Sequence, residues 1–496
     1  MGRVGEGFDV AVVGGGAAGC VVAARLAESG NRSVVLLEAG PDARGETPEA
    51  WRDGWRLPTL PDWGFQSEPS AAGQTNKLRR GRLLGGTSWL TRFAVRGAAA
   101  DFDAWAAVGN PGWAFADVLP AFRRLEADAE FGADAHHGDA GPIPITRYPS
   151  LEPSAIHAAG IAALAGAGIR WVADLNAPDA VGLGRVPMSS RDGARVTALD
   201  GYLDARPTSS SLTIRPESEV AFVVVEAGRA TGVRLVEGSE IRAGWVVVAA
   251  GAYGSPTLLQ RSGIGPAEHL RGLGIPVLVD LPGVGANLAD HPAVEFDTGW
   301  RGGAVGGAVL NTIATFRSQA RPKELSPDLL FWVSDPAGDE PGFWIDSVLL
   351  KPASRGTVRL RSSDPADPPR ITLPGLRDPV DVDRLVEATG WAAELANRPE
   401  IRGLSTGAAA IDPPTPAARR QRVVDEAYSI PHVVGTCAMG PDPANGAVVD
   451  ARCAVHGVER LSVIDASVMP DAPSGFPHLV TIMIGEHAAE MLAARL

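Results

Sequence analysis

Residues 8–13, "FDVAVV", apolar apart from Asp9, read as a buried strand that leads straight into Gly14-x-Gly16-x-x-Gly19. An Ala-, Leu- and Val-rich stretch follows, and a second apolar run, residues 33–37, ends at Glu38. The order is strand, glycine turn, helix, strand, acid. No other feature of the chain restricts the fold as tightly, because this order opens a doubly wound parallel sheet that holds an adenine dinucleotide. Gly14 permits the tight turn, Gly16 lets the backbone approach a pyrophosphate, and Gly19 lets the helix pack on the strand. The first helical turn offers free N–H groups and partial positive charge to the phosphates. Glu38 stands where a carboxylate accepts hydrogen bonds from both ribose hydroxyls. A bare glycine triplet could be a turn without a ligand; the full order argues for a nucleotide. The motif alone does not separate FAD from NAD.

A flavoenzyme with two nucleotides would carry a second glycine unit. "GVGANL" (283–288) lacks the third glycine and the strand-to-helix setting, so one dinucleotide is expected. If it is FAD, electrons come from a substrate and leave to an external acceptor. A second glycine cluster, "RRGRLLGGTSWL" (79–90), places Gly85, Gly86, Thr87 and Ser88 where a chain could wrap another part of a cofactor. The run from Trp245 to Gly251 reads as a strand covered on both faces, late in the same sheet. "RLSVIDASVMP" (460–470) reads as another, ending at Asp465 and Ala466. Ligands of open α/β sheets lie at such strand ends, so the site draws on both ends of the chain.

The 496 residues, 45% hydrophobic and 21% charged, are enough for more than one globular core. A net charge of −13 repels nucleic acid and anionic lipid, and no basic stripe is present, so no nucleic-acid partner is expected. No apolar stretch approaches the ~20 residues of a membrane span. The N-terminus lacks the layout of a signal peptide. Three cysteines (Cys20, Cys437, Cys453) suit a reducing compartment, so a cytoplasmic location is expected. Cys437 and Cys453 read as small packing residues.

The blocks "VVGGGAAGCVVAARLAE", "GRLLGGTS…RG…DFDAW", "GWAFADVLPAFRRLE", "GAYGSPTLLQRSGIGP", "LPGVGANLADHP", "KPASRGTVRL", "HVVGTCAMG" and "VIDASVMP" follow one another along nearly the whole chain. Together they resemble the glucose–methanol–choline (GMC) oxidoreductases. The resemblance implies an α/β fold: a Rossmann-like FAD-binding domain interleaved with a substrate domain built on an antiparallel sheet with helices. It implies FAD, and the oxidation of a small-molecule alcohol to the aldehyde or ketone by hydride transfer to flavin N5, with oxygen, a quinone or another carrier as electron acceptor. The implied cofactor residues are Gly14, Gly16, Ala17, Ala18, Gly19, Glu38 and Ala39; Gly85, Gly86, Thr87, Ser88 and Thr91; Val220, Ala250 and Gly251; and Asp465, Ala466, His478 and Leu479. His432 matches the active-site histidine, and His478 the second position, which is His or Asn among members. Where some members bind FAD covalently through a histidine, this chain has Leu90, so dissociable FAD is expected. Thr91 replaces a common asparagine, and Phe476 a usual polar residue.

Alcohol oxidation needs a base within reach of a weakly acidic hydroxyl, and neutral imidazole suits that task. His432 is therefore the candidate base, with His478 fixing the substrate oxygen. Gly435, Thr436 and Cys437 are small enough to let that loop press close to a flavin. His136 and His137 lie in a polar turn, and His291 follows Asp290; these are weaker candidates. No histidine pair has helical metal-ligand spacing, so no metal is expected. The FAD domain is expected over 1–148, 207–296 and 424–496, and the substrate domain over 149–206 and 297–423. Aromatic strand residues Phe331, Trp332, Phe343 and Trp344 are candidate pocket walls or core, which suits an apolar or aromatic primary alcohol. Two alternatives share much of this reading: a hydroxynitrile lyase-type cleavage on the same fold, and a non-catalytic nucleotide-binding module.

Overall fold

The computed structural model describes residues 7–53, 57–70, 73, 75–204, 210–299, 301–302, 312–334, 344–406 and 415–496. Strand Gly7–Val13 lies inside the first of two large sheets. It pairs in parallel with Val34–Leu37 on one side and Glu240–Val248 on the other, and Leu212–Arg215 adds in parallel beyond Val34–Leu37. Glu240–Val248 changes partner along its length. Residues 240–242 close an antiparallel meander with Arg229–Leu235 and Val220–Glu226, while Val246–Val248 pair in parallel with Leu461–Val463. Val10–Val13, Val34–Leu37 and Val246–Val248 are buried at consecutive positions. Strands covered on both faces need such unbroken runs, which is why the sequence shows no alternation there.

Helix Ala17–Ala27 leaves the glycine turn and packs on helix Pro477–Ala493 from the other end of the chain. Gly485 makes the close approach possible, since a Cβ there would stand 2.9 Å from the Cβ of Val21. One residue on, the buried Glu486 carboxylate accepts hydrogen bonds from Arg25 (2.6 Å), Arg124 (3.0 Å) and the Tyr202 hydroxyl (2.5 Å).

The second sheet is antiparallel throughout, in the order Tyr428–Val434, Ala289–Asp297, Trp344–Leu349, Leu329–Ser334, Thr312–Phe316, Leu183–Arg185. Of the two places where the expected domains meet here, 296 sits in this sheet and 424 in helix Pro416–Glu426, just before its edge strand. One face packs under helices Ala155–Gly166, Pro379–Ala396 and Pro416–Glu426 through Leu329, Phe331, Val333, Phe296 and Ile345. The other carries Ala293, Leu330, Val348 and Ile430 and meets Val95, Met188 and Phe476. Lys351, just past strand Trp344–Leu349, pairs with Asp471 (2.7 Å) and Asp101 (3.1 Å) and also donates to the Ala472 carbonyl. No described helix is long and apolar enough to cross a membrane.

Candidate active site

A cavity of about 600 Å³ reaches from the glycine turn to the second sheet. At the turn, Gly14 has φ +102°, and a Cβ there would lie 2.6 Å from the Ala249 carbonyl oxygen. A Cβ on Gly19 would collide with the Gly14 carbonyl, so this glycine is needed for packing the helix and does not line the cavity. Gly16 is different: nothing lies within 4 Å of where its side chain would begin, and it lines the cavity at the helix N-terminus. Gly251, at the start of the second helix to reach the cavity, is equally open. Gly86 (φ +52°) packs backbone to backbone on Gly16, where a Cβ would come 2.8 Å from the Gly16 Cα. Two glycine turns therefore form one bare-backbone cradle.

The carboxylate of Glu38 is shaped by that cradle. Its Oε2 accepts the Gly15 N–H and its Oε1 the Gly40 N–H, each at 2.8 Å. Burial raises its pKa in spite of these bonds. Each oxygen keeps a second lone pair, and the residue lines the cavity. Asp465 also borders the cavity, but its oxygens are engaged: Oδ2 by Gly251 N–H (2.8 Å) and the Ser255 hydroxyl (2.5 Å), Oδ1 by Ser467 N–H (2.8 Å). It clamps helix Gly251–Arg261 to the C-terminal strand. Ala17, Ala18, Ala39, Thr87, Ser88, Thr91, Val220, Ala250 and Ala466 line the same cavity. Gly85 and Leu479 do not: Gly85 backs onto Trp89, and Leu479 is buried in the core of the first sheet. The Ser88 hydroxyl is turned to the Gly85 carbonyl.

At the far end stand His432 and His478. His432 comes from strand Tyr428–Val434 and His478 from the first turn of helix Pro477–Ala493, so a strand of the second sheet and the C-terminal helix bring them to one cavity. Burial, then His291 and Arg80, hold the His432 imidazole well below its ordinary pKa. Burial, then Arg195, brings His478 down to about 4. Both rings are neutral at physiological pH and can accept a proton. Beside them, Phe93, Trp332 and Phe476 touch one another with centroids 5.4–5.9 Å apart, and Phe476 meets the His432 ring at 4.9 Å. The Trp332 indole N–H and the Tyr253 hydroxyl, both on cavity-lining residues, are buried without a hydrogen-bond partner among the described residues.

Several expectations change. Gly435, Thr436 and Cys437 do not reach the cavity. They bring the strand end against other parts of the protein: a Cβ on Gly435 would stand 2.6 Å from the Asn287 carbonyl oxygen, and Thr436 donates to the Ala252 carbonyl (2.6 Å). Of the three aromatic wall candidates among the described residues, only Trp332 lines the cavity. Phe331 alternates to the helix face against Phe316, Trp344 lies off the cavity, and Phe343 lies outside the described residues. His137, expected in a polar turn, is buried among polar groups, with Asp174 at 2.9 Å and Glu126 at 3.1 Å. Glu126, Asp128 and His137 could by geometry hold a metal ion, yet Arg96 and Arg147 already pair with the two carboxylates. Burial alone would lower the His137 pKa; bonds to Asp128, Asp174 and Glu126 outweigh it and raise it to about 10. His291, a weaker candidate on sequence, has its ring against that of His432. The strand pairing that joins them spans about 140 residues, and nothing local in the sequence signals it.

Comparison with known proteins identifies the family. The family models of GMC oxidoreductase match residues 8–293 and 352–485. The chain is 33% identical to the 5-(hydroxymethyl)furfural oxidase of Methylovorus sp. (strain MP688), over 98% of each chain. It is 32% identical to the oxygen-dependent choline dehydrogenase of Klebsiella pneumoniae, over 98% of this chain and 96% of that one. The crystal structure of pyridoxine 4-oxidase from Mesorbium loti superposes with a TM-score of 0.88 at 29% identity, over 97% of this chain and 98% of that one.

Proposed function

The chain belongs to the GMC oxidoreductase family, enzymes that bind FAD and act on CH–OH donors, and on that premise we propose that it oxidises an aromatic primary alcohol to the aldehyde with His432 as the base. The observation that carries the reading is that one cavity joins the Gly16–Gly251 cradle to two neutral imidazoles. The cradle fits FAD, because Gly16 leaves open, at the N-terminus of helix Ala17–Ala27, the space a side chain would fill, where a pyrophosphate would approach the backbone. Leu90, on the cavity wall, offers no nucleophile, so the cofactor is held without a covalent bond there. When bound, FAD supplies the hydride acceptor and hands the electrons to an external carrier.

The protein's own residues do the rest. His432 takes the hydroxyl proton, and His478 holds the substrate oxygen. Phe93, Trp332 and Phe476 exclude water and present ring edges and faces to the substrate. The furfural oxidase is named for a hydroxymethyl group on an aromatic ring, and the structural neighbour is an oxidase of pyridoxine; both support the same class here. The division into FAD and substrate domains is part of this reading.

Anaerobic titration with a panel of alcohols tests it. Benzylic and heteroaromatic primary alcohols should bleach the flavin, and choline should not. Preferential bleaching by choline would refute the aromatic assignment; turnover without bleaching would favour a lyase. His432→Ala should stay yellow yet lose roughly 10²–10⁴-fold in reduction rate. Reoxidation by air compared with a quinone identifies the acceptor class.

A further inference from the structure

His432 can take a proton only if its cavity-facing nitrogen carries none, and His291 is placed to decide that. His291 Nδ1 lies 3.0 Å from His432 Nδ1, with the rings at 88°. Two imidazole nitrogens at that distance share one hydrogen: one donates and the other accepts. With Nδ1 engaged, Nε2 is the His432 nitrogen left for a substrate hydroxyl. We propose that His291 is a positioning residue that accepts the Nδ1–H of His432 and so keeps Nε2 as a free lone pair. This inference rests on the reading of His432 as the base.

The surroundings favour this polarity. His291 is completely buried, and a His432 that accepts a proton at Nε2 has its own hydrogen on Nδ1, which at 3.0 Å has His291 Nδ1 as its acceptor. The one proton of neutral His291 then stands on Nε2, which has no hydrogen-bond partner among the described residues. The frame is rigid as well. Asp290 Oδ1 accepts the backbone N–H of both His291 and His432, each at 2.8 Å, and its Oδ2 accepts the Ser429 hydroxyl. The charged groups around the pair are Lys351 with its partners Asp101 and Asp471 on the His291 side, and Arg80 on the His432 side. The two cations disfavour a second proton on either ring. In the opposite polarity His291 would donate, and His432 Nε2 would carry a hydrogen. It could then offer a hydrogen bond to an alcohol but could not remove its proton. Once His432 takes a proton, its Nδ1–H bond to His291 becomes charge-assisted and meets the new charge inside a buried site.

Histidine-¹⁵N-labelled protein, without substrate, tests the proposal directly. His432, assigned by the signals lost in His432→Ala, should be protonated at Nδ1 and bare at Nε2, and His291 the reverse. The opposite pattern overturns the proposal whatever the activity. Kinetics give a second arm. His291→Asn keeps an acceptor oxygen near the Nδ1 position and should reduce flavin within roughly tenfold of wild type. His291→Leu removes it and should lose roughly 10²-fold with flavin content unchanged. Equal losses in both variants would also overturn it. If His432→Ala reduces flavin normally, the assignment of the base fails, and the ¹⁵N pattern still judges the pair by itself.

Discussion

At position 16 the lack of a side chain makes the room a ligand needs. Gly16→Leu should fold, since nothing stands within 4 Å of its first atom, and should purify without flavin, as its visible absorbance will report. Gly19→Leu should fail to fold, because its Cβ meets the Gly14 carbonyl. Two glycines of one motif thus separate into a binding and a packing role. The same scale decides pH dependence. His432 is held well below the ordinary imidazole value by burial, His291 and Arg80. Neutral imidazole is the active form, so kcat/KM should stay flat as pH falls through 6.5 and drop only at lower pH. A limb at the ordinary value would contradict the burial of this ring. The histidines and glycines were legible because their motifs are local; the contact of His291 with His432 was not.

At the scale of elements, alternation along Leu329–Ser334 sends Phe331 under the helices and Trp332 to the cavity. Sequence shows both aromatics but not which face a sheet buries on which side. Phe476→Ala should raise KM for an aromatic alcohol roughly tenfold with less change in kcat, as expected for loss of an aromatic contact. The buried cluster of Glu126, Asp128, Asp174, His137, Arg96 and Arg147 ties strand Glu126–Asp128 to the loop at 174. The His137 pKa rises from 6.5 to about 10 on folding, so its stabilisation is complete below pH 6.5 and fades as pH climbs through about 10. The wild-type Tm should therefore fall on the alkaline side. His137→Gln should lower Tm at neutral pH and flatten that slope. A Tm unchanged at pH 7 would remove the cluster from the list of stabilising contacts.

Across the whole molecule, the cofactor cradle near residue 16 is braced by the helix that ends at residue 493. Glu486, ringed by Arg25, Arg124 and Tyr202, carries that contact. Glu486→Leu leaves guanidinium groups without their buried partner and should cost about 3–5 kcal/mol. Thermal unfolding followed by both circular dichroism and flavin fluorescence should show the two signals shifting together. Flavin release well before unfolding would mean that the brace does not support the cradle.

The sequence by itself determined the nucleotide fold, the cradle glycines, the acid at 38, the paired histidines and the family, because each is written in a few neighbouring residues whose backbone demands are local. Tertiary structure alone decided that Gly435–Cys437 press on protein rather than on the cofactor site, that Trp332 and not Phe331 faces the cavity, that His137 is caged by carboxylates, and that His291 stands behind His432. Those outcomes depend on which distant strands pair and which faces close on each other. Long-range burial settles them, and residue order carries no periodic mark of it.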